Sequence, residues 1–344
     1  MPYSQPRIAV IGAGAIGGVV ACRLAREHPE MQVACKHQRI ASLARDPGAR
    51  VFGLGGESRT RLNAVARIEE ITGPLDLVFL TTKAGDAVPA AQRLLPLLKE
   101  TSWVVSLQNG ISEEALARVL GPDRVVGCVV GWGGTHHAPA ELEVTSPGGL
   151  VIGAWGRAQP ERLAALQDMM QAVAPTRVSD NIRGELFSKL VVNACINPLG
   201  ALTGQSLGRL LASHRTRSLF TQVMRETMAV AHALGIKVEP AGGGKLDFHR
   251  MIEGQSWLAG LRRHGVVCLV GLKYRRIRSS SLQSLERGRP SEMPYLNGYI
   301  CEQGQRTGVP TPLNQALVDM VAQIEAGQRD ITPANLDDPA LALG

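Results

Sequence analysis

The sequence has few aromatic residues and none of the recognition motifs that accompany nucleic-acid binding. Phe, Trp and Tyr together make up 4% of 344 residues. The net charge is +7, which favours anionic ligands, and the basic residues concentrate between Arg262 and Arg289. We interpret this basic stretch as a solvated face and expect no nucleic-acid partner, although charge alone leaves nucleic-acid binding open as an alternative.

Long apolar runs and paired cysteines are also missing. The first apolar run passes at once into a glycine turn and is too short to span a bilayer, so we expect no signal peptide and no membrane partner. The six cysteines include no CxxC pair, a pattern typical of buried, reduced thiols in a cytoplasmic protein. His136 and His137 are the tightest ligand-like pair, but adjacent residues rarely share one ion, so we expect no metal.

A glycine-rich turn between a short apolar strand and a helical pattern gives the strongest local signal. Ile8–Ile11 is apolar, and the helical pattern runs to about Arg26. The turn between them reads GxGxxG, which in this setting predicts dinucleotide binding. Its first glycine permits the tight turn, the second lets a pyrophosphate approach, and the third lets the helix pack on the strand. The predicted cofactor-binding residues of this turn are Gly12, Ala13, Gly14, Ala15, Ile16 and Gly17.

The end of the second predicted strand, residues 31–35, indicates which dinucleotide is bound. NAD-specific folds usually place an acidic residue there for the ribose 2′-hydroxyl. Here no acidic residue lies between Glu30 and Asp46, whereas Lys36 and Arg39 would attract a 2′-phosphate. The sequence therefore favours NADP(H) over NAD(H), unless both cations merely face solvent.

Further strands alternate with helices up to about residue 178. We predict a strand at 75–80, a helix at 88–99, a strand at 102–108 and a helix that Ser112 caps, with an antiparallel pair over 141–156 completing the sheet. Lys83, Asn109 and Gly133 each follow a predicted strand. Because ligands bind beyond the carboxyl ends of parallel strands, their repetition predicts a common cleft, although any one of them could be a turn residue.

The second half of the chain is helical in pattern. We predict helices from about 180, over 206–235, 245–263 and 293–307, and near 313–326. Pro198 should kink or end the first of them. The expected organisation is an α/β Rossmann-type domain at 1–179, an all-α domain at 180–330 for substrate and dimerisation, and a loosely held tail at 331–344, with a cleft between the domains.

Three polar residues interrupt the apolar start of this helical half. Lys189, Asn193 and Asn197 are four residues apart, so on a helix they form one column. Such groups can cap buried loops or reach solvent, but they can also bind a substrate: the ammonium can protonate an oxygen, and the amides can bond hydroxyl or carbonyl groups. A second polar stretch holds Ser280, Glu292 and Asn297, which by themselves are more typical of caps and loops than of a functional site.

The chain resembles the 2-dehydropantoate 2-reductase (ketopantoate reductase) family from Arg7 to about residue 325. The resemblance is carried by "IGAGAIGG", "TTKAGD", "QNGIS", "NIRGELFSKLVVNACINPLGALTG" and "SSSLQSLERGRPSEMPYLNGYI". It implies a Rossmann domain, a helical C-terminal domain and NADPH-dependent reduction of 2-dehydropantoate to (R)-pantoate, a step of pantothenate and coenzyme A biosynthesis.

The resemblance also implies roles for individual residues. Lys189 matches the proton donor, and Glu292 matches an acidic residue beside the nicotinamide and that lysine. Asn193, Asn197 and Ser280 match substrate ligands, and Asn109 matches an asparagine that contacts both cofactor and substrate. Lys36, Lys83 and Gly133 match cofactor-contacting positions. We expect burial and a neighbouring cation to lower the pKa of Lys189, and Glu292 to hold it in place.

The sequence departs from the family pattern at a few positions. Lys36 replaces a frequent arginine, and Leu207 lies where some members have a further substrate-contacting asparagine. Lys36 at this position softens the expected NADP preference. The segment "HGVVCLVGLKYRRIRS" is less familiar and more basic, and it leaves open a reductase of another branched or aromatic 2-oxo acid, which would yield a D-2-hydroxy acid. A non-catalytic NADP(H)-binding protein is a third hypothesis, which the set Lys189, Glu292 and Asn109 disfavours. We expect the protein to form a homodimer and to bind a small 2-oxo acid as its substrate.

Overall fold

A computed structural model describes residues 6–244, 246–252, 265, 267, 275 and 277–342. The chain divides into two compact units, Met1–Ile182 and Arg183–Gly344. This division lies three residues beyond the boundary that the change of pattern suggested. Most of the basic stretch from Arg262 to Arg289 and most of the helix predicted over 245–263 fall outside the described residues.

The described residues of the first unit, 6–182, form twelve strands in two sheets. They are β1 (Ile8–Ile11), β2 (Gln32–Ala34), β3 (Ala49–Gly53), β4 (Ser58–Thr60), β5 (Asn63–Val65), β6 (Leu75–Leu80), β7 (Leu98–Ser106), β8 (Val125–Val130), β9 (Gly133–Ala138), β10 (Glu141–Ser146), β11 (Leu150–Ala154) and β12 (Thr176–Val178). The main sheet has the order β12-β11-β8-β7-β6-β1-β2-β5. Among the described strands of this sheet, only the β11–β8 pair is antiparallel, so the predicted α/β fold with a parallel sheet is confirmed.

Helices cover both faces of this main sheet. They are α1 (Ala15–Leu24), α2 (Gln38–Leu43), α3 (Ala84–Leu94), α4 (Glu113–Leu120) and α5 (Pro160–Gln171). Successive strand residues point to opposite faces. Val10 and Phe79 therefore join one buried cluster with residues of α1 and α5, and Ile11 and Leu80 join another with residues of α3 and α4.

The predicted antiparallel pair over 141–156 is wrong, because its two strands belong to different sheets. β11 pairs with β8 in the main sheet, whereas β10 pairs with β9 and β3. The second sheet has the order β4-β3-β10-β9. Two separate excursions of the chain build it, and sequence patterns do not show which distant strands will pair.

Two further details of the first unit differ from the prediction. The helix predicted over 88–99 is α3, which begins at Ala84 and ends at Leu94, before a 3₁₀ turn that contains Pro96. Proline lacks the N–H that a continuing helix requires. Ser112 precedes α4 but accepts no capping hydrogen bond, because its backbone is already helical (φ −83°, ψ −18°) whereas a capping residue is extended.

The second unit is helical, as predicted. Its described helices are α6 (Ile182–Thr203), α7 (Leu207–Ala212), α8 (His214–Ala233), α9 (Ala241–Gly244), α10 (Phe248–Ile252), α11 (Ser280–Glu286), α12 (Asn297–Thr307) and α13 (Pro312–Glu325). Pro198 does not end α6, which continues for five residues beyond it. By length and composition α6 could cross a membrane, but 78% of its most apolar window is buried within the protein, as in the core helix of a soluble fold.

The expectation of a loosely held tail at 331–344 is wrong for its described part. Leu341 is buried, and the Asn335 side chain donates to the Leu202 carbonyl at the end of α6 (2.8 Å). The backbone N–H of Thr332 donates to the same carbonyl (3.0 Å). At the end of a helix the last carbonyls have no N–H partner within the helix. The tail supplies hydrogen bonds to one of them, the Leu202 carbonyl.

Five of the six cysteines lie among the described residues, and all five are buried and free of disulfides, as expected. Burial raises the pKa of the Cys22 and Cys35 thiols to about 12 and also raises the pKa of Cys195 and Cys301. These four thiols therefore stay protonated at neutral pH and are poor nucleophiles. Cys268 lies outside the described residues.

Candidate functional site

The predicted cofactor residues of the first unit share one edge of the main sheet. Gly12 follows β1, Lys36 follows β2 and Lys83 follows β6, while Asn109 and Gly133 come after β7 and β8. These five strands are neighbours and run parallel, so their carboxyl ends meet at the same edge. The first unit therefore brings together residues that lie as far apart in the sequence as Gly12 and Gly133.

The glycine turn fits tightly between β1 and β6. Gly12 has φ +106°, a conformation that L side chains rarely adopt, and its N–H donates to the Ala34 carbonyl of β2 (2.9 Å). The Thr81 hydroxyl bonds to the carbonyls of Ile11 (2.9 Å) and Gly12 (2.6 Å). A Cβ at Gly17 would collide with the Gly12 carbonyl and the Thr81 hydroxyl, so only glycine lets α1 pack this closely.

The start of α1 fits a pyrophosphate. Gly14 precedes the helix, and a Cβ built there would meet nothing within 4 Å. The first turn of α1 contains no acidic residue. N–H groups without intrahelical partners and a partial positive charge therefore face an open space, which is the arrangement that binds phosphate groups. Ala13 is buried, whereas Ala15 and Ile16 at the helix start are half-buried.

The fold also brings a carboxylate to Lys36 that the sequence analysis missed. Lys36 is exposed and has φ +67°, and its ammonium lies 3.0 Å from the Asp86 carboxylate in the first turn of α3. Both side chains are more than half exposed, at 69% and 54%. Asp86 is fifty residues away in sequence, so inspection of the end of β2 could not detect it; only the parallel pairing of β1 with β6 reveals the contact.

A second missed residue, Gln108, holds the ends of β6 and β7 together next to Asn109. Its buried amide donates to the Leu80 carbonyl (2.9 Å) and accepts from the Ser106 hydroxyl (2.7 Å). The backbone before Asn109 is therefore fixed by side-chain bonds to both strands. Asn109 itself is half-buried.

In the second unit, α6 presents one partly exposed stripe. Lys189, Val192, Asn193 and Ile196 are half-buried, and their spacing of three and four residues places them on one face of the helix. The remaining residues from Gly184 to Leu202 are buried. The predicted column is therefore confirmed for Lys189 and Asn193, whereas Asn197 is 4% exposed. No hydrogen bond to the Asn193 carboxamide comes from the described part of the chain.

The structure brings Asn197 together with Ser280, another predicted substrate ligand. The Ser280 hydroxyl donates to the Asn197 carboxamide oxygen at 3.1 Å. The preceding residue, Ser279, accepts from the Leu282 N–H as the N-cap of α11. A Cβ at Gly200 would collide with the Ser279 side chain, so the missing side chain at Gly200 lets α11 approach α6 closely.

Glu292 is half-buried and immediately precedes the 3₁₀ turn Met293–Tyr295. The N–H of the neighbouring Ser291 donates to the Glu325 carboxylate (2.8 Å), which fixes this loop against the end of α13. The pairing of Glu292 with Lys189 stays a prediction. Across the described residues, no three His, Cys, Asp or Glu side chains are grouped closely enough to hold a metal ion.

Family models match both units of the chain. The model described as ketopantoate reductase PanE/ApbA matches residues 8–157, and its C-terminal counterpart matches residues 181–325. The chain belongs to the ketopantoate reductase family. A 2-dehydropantoate 2-reductase of Mesorhizobium japonicum is 29% identical, with 92% of this chain and 97% of the relative covered. A 2-dehydropantoate 2-reductase of Pyrococcus horikoshii is 26% identical, with 93% of this chain and 98% of the relative covered.

Solved structures support the same family fold. A PanE/ApbA family ketopantoate reductase from Ralstonia eutropha JMP134 superposes with a TM-score of 0.78 at 28% identity, covering 94% of this chain and 99% of that chain. A D-mandelate dehydrogenase in complex with NADH and anilino(oxo)acetate also gives a TM-score of 0.78, with the same coverage, but at 22% identity it shows the fold alone.

Two substitutions in the glycine turn should separate packing from ligand contact. We expect Gly17→Ala to lower both the thermal stability of the first unit and the affinity for a nicotinamide dinucleotide, because the new Cβ collides with Gly12 and Thr81. Gly14→Ala should leave stability within ~0.5 kcal/mol, since its φ of −75° suits alanine, yet it should weaken dinucleotide binding. Thermal unfolding and fluorescence titration with NADPH and NADH measure the two effects. Unchanged binding in Gly14→Ala would contradict this position for the pyrophosphate.

Proposed function

We propose that this protein reduces 2-dehydropantoate to (R)-pantoate with NADPH. The observation that carries this proposal is the stripe on α6, where an ammonium and a carboxamide, Lys189 and Asn193, are accessible on a helix whose other faces are buried. An ammonium and a carboxamide on one accessible face are suited to bind the carboxylate and the ketone of a 2-oxo acid. The family membership names 2-dehydropantoate as that substrate.

The cofactor is held by the residues of the first unit. The N–H groups at the start of α1 would bind the pyrophosphate, and Gly14 leaves room for it. Asn109, Lys83 and Gly133 lie at the same sheet edge, where the rest of a dinucleotide would extend. NADPH, when bound, supplies the hydride that reduces the ketone.

The second unit binds and protonates the substrate. Asn193 and Asn197 are one helical turn apart. The hydrogen bond between Ser280 and Asn197 orients the side chains of these two residues. A carboxylate and a hydroxyl of the substrate can therefore be bound close together. Lys189, one turn earlier on the same face, polarises the ketone oxygen and then donates a proton to it. Glu292 orients the Lys189 ammonium. Asn109 is proposed to bond to the cofactor.

Lys36 supports the preference for NADPH. Its ammonium lies beyond the end of β2, where the adenosine ribose of a dinucleotide is bound in this fold. An exposed ion pair such as Lys36–Asp86 contributes about 0–1 kcal/mol, so a 2′-phosphate of higher charge can displace the carboxylate. Asp86 nevertheless repels that phosphate, which predicts a moderate rather than an absolute preference.

A second candidate function is the reduction of another branched or aromatic 2-oxo acid to a D-2-hydroxy acid. Leu207 favours it, since this residue is apolar and 3% exposed at a position where some family members have a substrate-contacting asparagine. A substrate site with one amide fewer would discriminate less strongly in favour of the hydroxyl group of 2-dehydropantoate. Val192 and Ile196 also offer apolar contacts between the polar residues of the stripe.

A substrate panel tests the proposed function directly. We expect NADPH oxidation with 2-dehydropantoate to show a kcat/KM at least ~10-fold above that for other branched or aromatic 2-oxo acids, because only 2-dehydropantoate offers a hydroxyl to the Asn193 and Asn197 amides. Initial rates by absorbance at 340 nm provide the measurement. A higher kcat/KM for another 2-oxo acid would favour the second candidate, and no turnover of any of them would reject both.

Removal of the proposed proton donor should abolish most turnover. We expect Lys189→Ala to lower kcat by at least ~10²-fold, the lower range for general acid catalysis, while the protein still binds NADPH in a fluorescence titration. The matched control is Lys237→Ala, an exposed lysine of the same unit, which should retain kcat. If kcat is unchanged in Lys189→Ala, this residue has no part in the mechanism.

Substitutions of Lys36 and of Asp86 should change the preference for NADPH over NADH in opposite directions. Lys36→Ala should raise the KM for NADPH about fivefold, the factor for an exposed charge pair of ~1 kcal/mol, and leave the KM for NADH unchanged. Asp86→Asn should lower the KM for NADPH, because the repulsion of the 2′-phosphate is removed while the size of the side chain is kept. The ratio of the two KM values is the measurement. Equal effects on both cofactors would place the 2′-phosphate elsewhere.

A further inference from the structure

The carbonyl of Ala194 lacks its normal partner within α6. In an α-helix this carbonyl accepts from the backbone N–H four residues later. That residue is Pro198, which has no N–H, and its ring also crowds the same carbonyl. Ala194 is completely buried, and leaving a buried carbonyl without a hydrogen bond is costly. Continuation of α6 to Thr203 therefore requires a donor from outside the helix.

Asn297, the first residue of α12, supplies that donor. Its side chain is fully buried, and its amide nitrogen donates to the Ala194 carbonyl at 3.0 Å. The same nitrogen donates its second hydrogen to the Asn314 carboxamide oxygen at 2.9 Å. Both N–H bonds of one carboxamide are thus used, and one of them takes the place of the proline N–H.

A buried carboxylate fixes the direction of this chain of amides. Glu226 of α8 accepts from the Asn314 amide nitrogen (2.7 Å) and from the backbone N–H groups of Leu313 and Asn314 (both 3.0 Å). Because Asn314 turns its nitrogen toward Glu226, its oxygen faces Asn297. Asn297 must in turn present nitrogen, the only suitable donor, to the Ala194 carbonyl.

The bond is made in the part of α6 that carries the proposed substrate amides. Ala194 immediately follows Asn193, and the backbone bond missing at Pro198 is next to Asn197, which bonds to Ser280. Lys189 lies more than a turn earlier, where the helix has no proline. A displaced Ala194 carbonyl would therefore shift Asn193 and Asn197 relative to each other and leave the Lys189 turn in place.

We propose that Asn297 is a positioning residue, which replaces the backbone donor removed by Pro198 and so holds Asn193 and Asn197 in the geometry that binds the 2-oxo acid. Glu226 and Asn314 act through it by fixing the orientation of its carboxamide. The part of this inference that concerns the substrate rests on the proposed function. The part that concerns the helix rests only on the hydrogen bonds of the second unit.

A double-mutant cycle between Asn297 and Pro198 tests the inference. Asn297→Ala removes the side-chain donor, and Pro198→Ala restores a backbone N–H for the Ala194 carbonyl. We expect Asn297→Ala alone to raise the KM for the 2-oxo acid roughly tenfold, the factor that corresponds to one unpaired buried carbonyl, with a smaller change in kcat and an unchanged Kd for NADPH. Addition of Pro198→Ala should recover most of that factor. Pro198→Ala alone should retain nearly the original KM.

The matched control is Pro89→Ala, which removes an exposed proline from the interior of α3 in the first unit. It should give no rescue of Asn297→Ala. A KM that stays high in the Asn297→Ala/Pro198→Ala double variant, or that Pro89→Ala restores equally well, would overturn the inference. So would an Asn297→Ala variant whose kcat falls and whose KM does not change.

Urea denaturation of the same four proteins gives a readout that does not depend on activity. The urea midpoint of the second unit should fall in Asn297→Ala and rise again when Pro198→Ala is added; additive effects would overturn the donor replacement. If Asn297→Ala does not fold, recovery of a folded double variant supports the proposal and its failure to fold opposes it. If no 2-oxo acid is reduced, the proposed function fails, while the urea cycle still decides the helical part.

Discussion

The proposed chemistry of the second unit depends on α6 remaining helical through Pro198. A helix that ended there would separate Asn197 from the turn that carries Lys189 and Asn193. The bond from Asn297 to the Ala194 carbonyl prevents this, and the closing bonds from Asn335 and Thr332 to the Leu202 carbonyl secure the far end of the same helix. Hydrogen-bond donors from two other segments thus stabilise one helix that is apolar over most of its surface.

In the first unit, too, the packing of one helix depends on a particular residue, which is here a glycine and not an asparagine. The closeness of α1, β1 and β6 is possible because Gly17 has no side chain, and the Thr81 hydroxyl bonds to the two carbonyls that the turn exposes. Close approach leaves the N–H groups at the start of α1 open, so the region proposed to bind phosphate is made from backbone alone. In both units, therefore, the proposed ligand-binding surface depends on specific side chains that satisfy neighbouring backbone groups.

Local patterns were sufficient to predict the elements that carry the site. The strand Leu75–Leu80 has the predicted bounds, and the column on α6 follows from a spacing of four residues. The glycine turn was recognisable because its strand, turn and helix are contiguous. These features depend on residues close together in sequence, for which period and turn chemistry are reliable guides.

The features that the sequence did not reveal all involve distant partners. Asp86 reaches Lys36 only because β1 lies between β2 and β6, and β10 leaves the main sheet because β3 offers it a parallel neighbour. Pro198 suggested a break in α6. The side-chain amide that compensates for it belongs to Asn297, which lies 99 residues later and is not visible in the local pattern. The tail was expected to be loose because chain ends usually are; the burial of Leu341 and the hydrogen bonds of Asn335 that hold its described part depend on distant residues.

The second sheet has a consequence for the energetics of cofactor binding. Gly18 packs against Leu142 of β10, so close that a Cβ there would lie 2.5 Å from the Leu142 Cδ1, while the neighbouring Gly17 packs on the Gly12 carbonyl that follows β1. The helix proposed to face the phosphates is thus held against both β10 and the end of β1 before any ligand arrives. A preorganised helix loses little conformational entropy on association, so more of the interaction free energy is retained as affinity. The two excursions that form this sheet, β3–β4 and β9–β10, consequently support the proposed dinucleotide site through α1, and β9 begins at Gly133, one of the proposed cofactor residues.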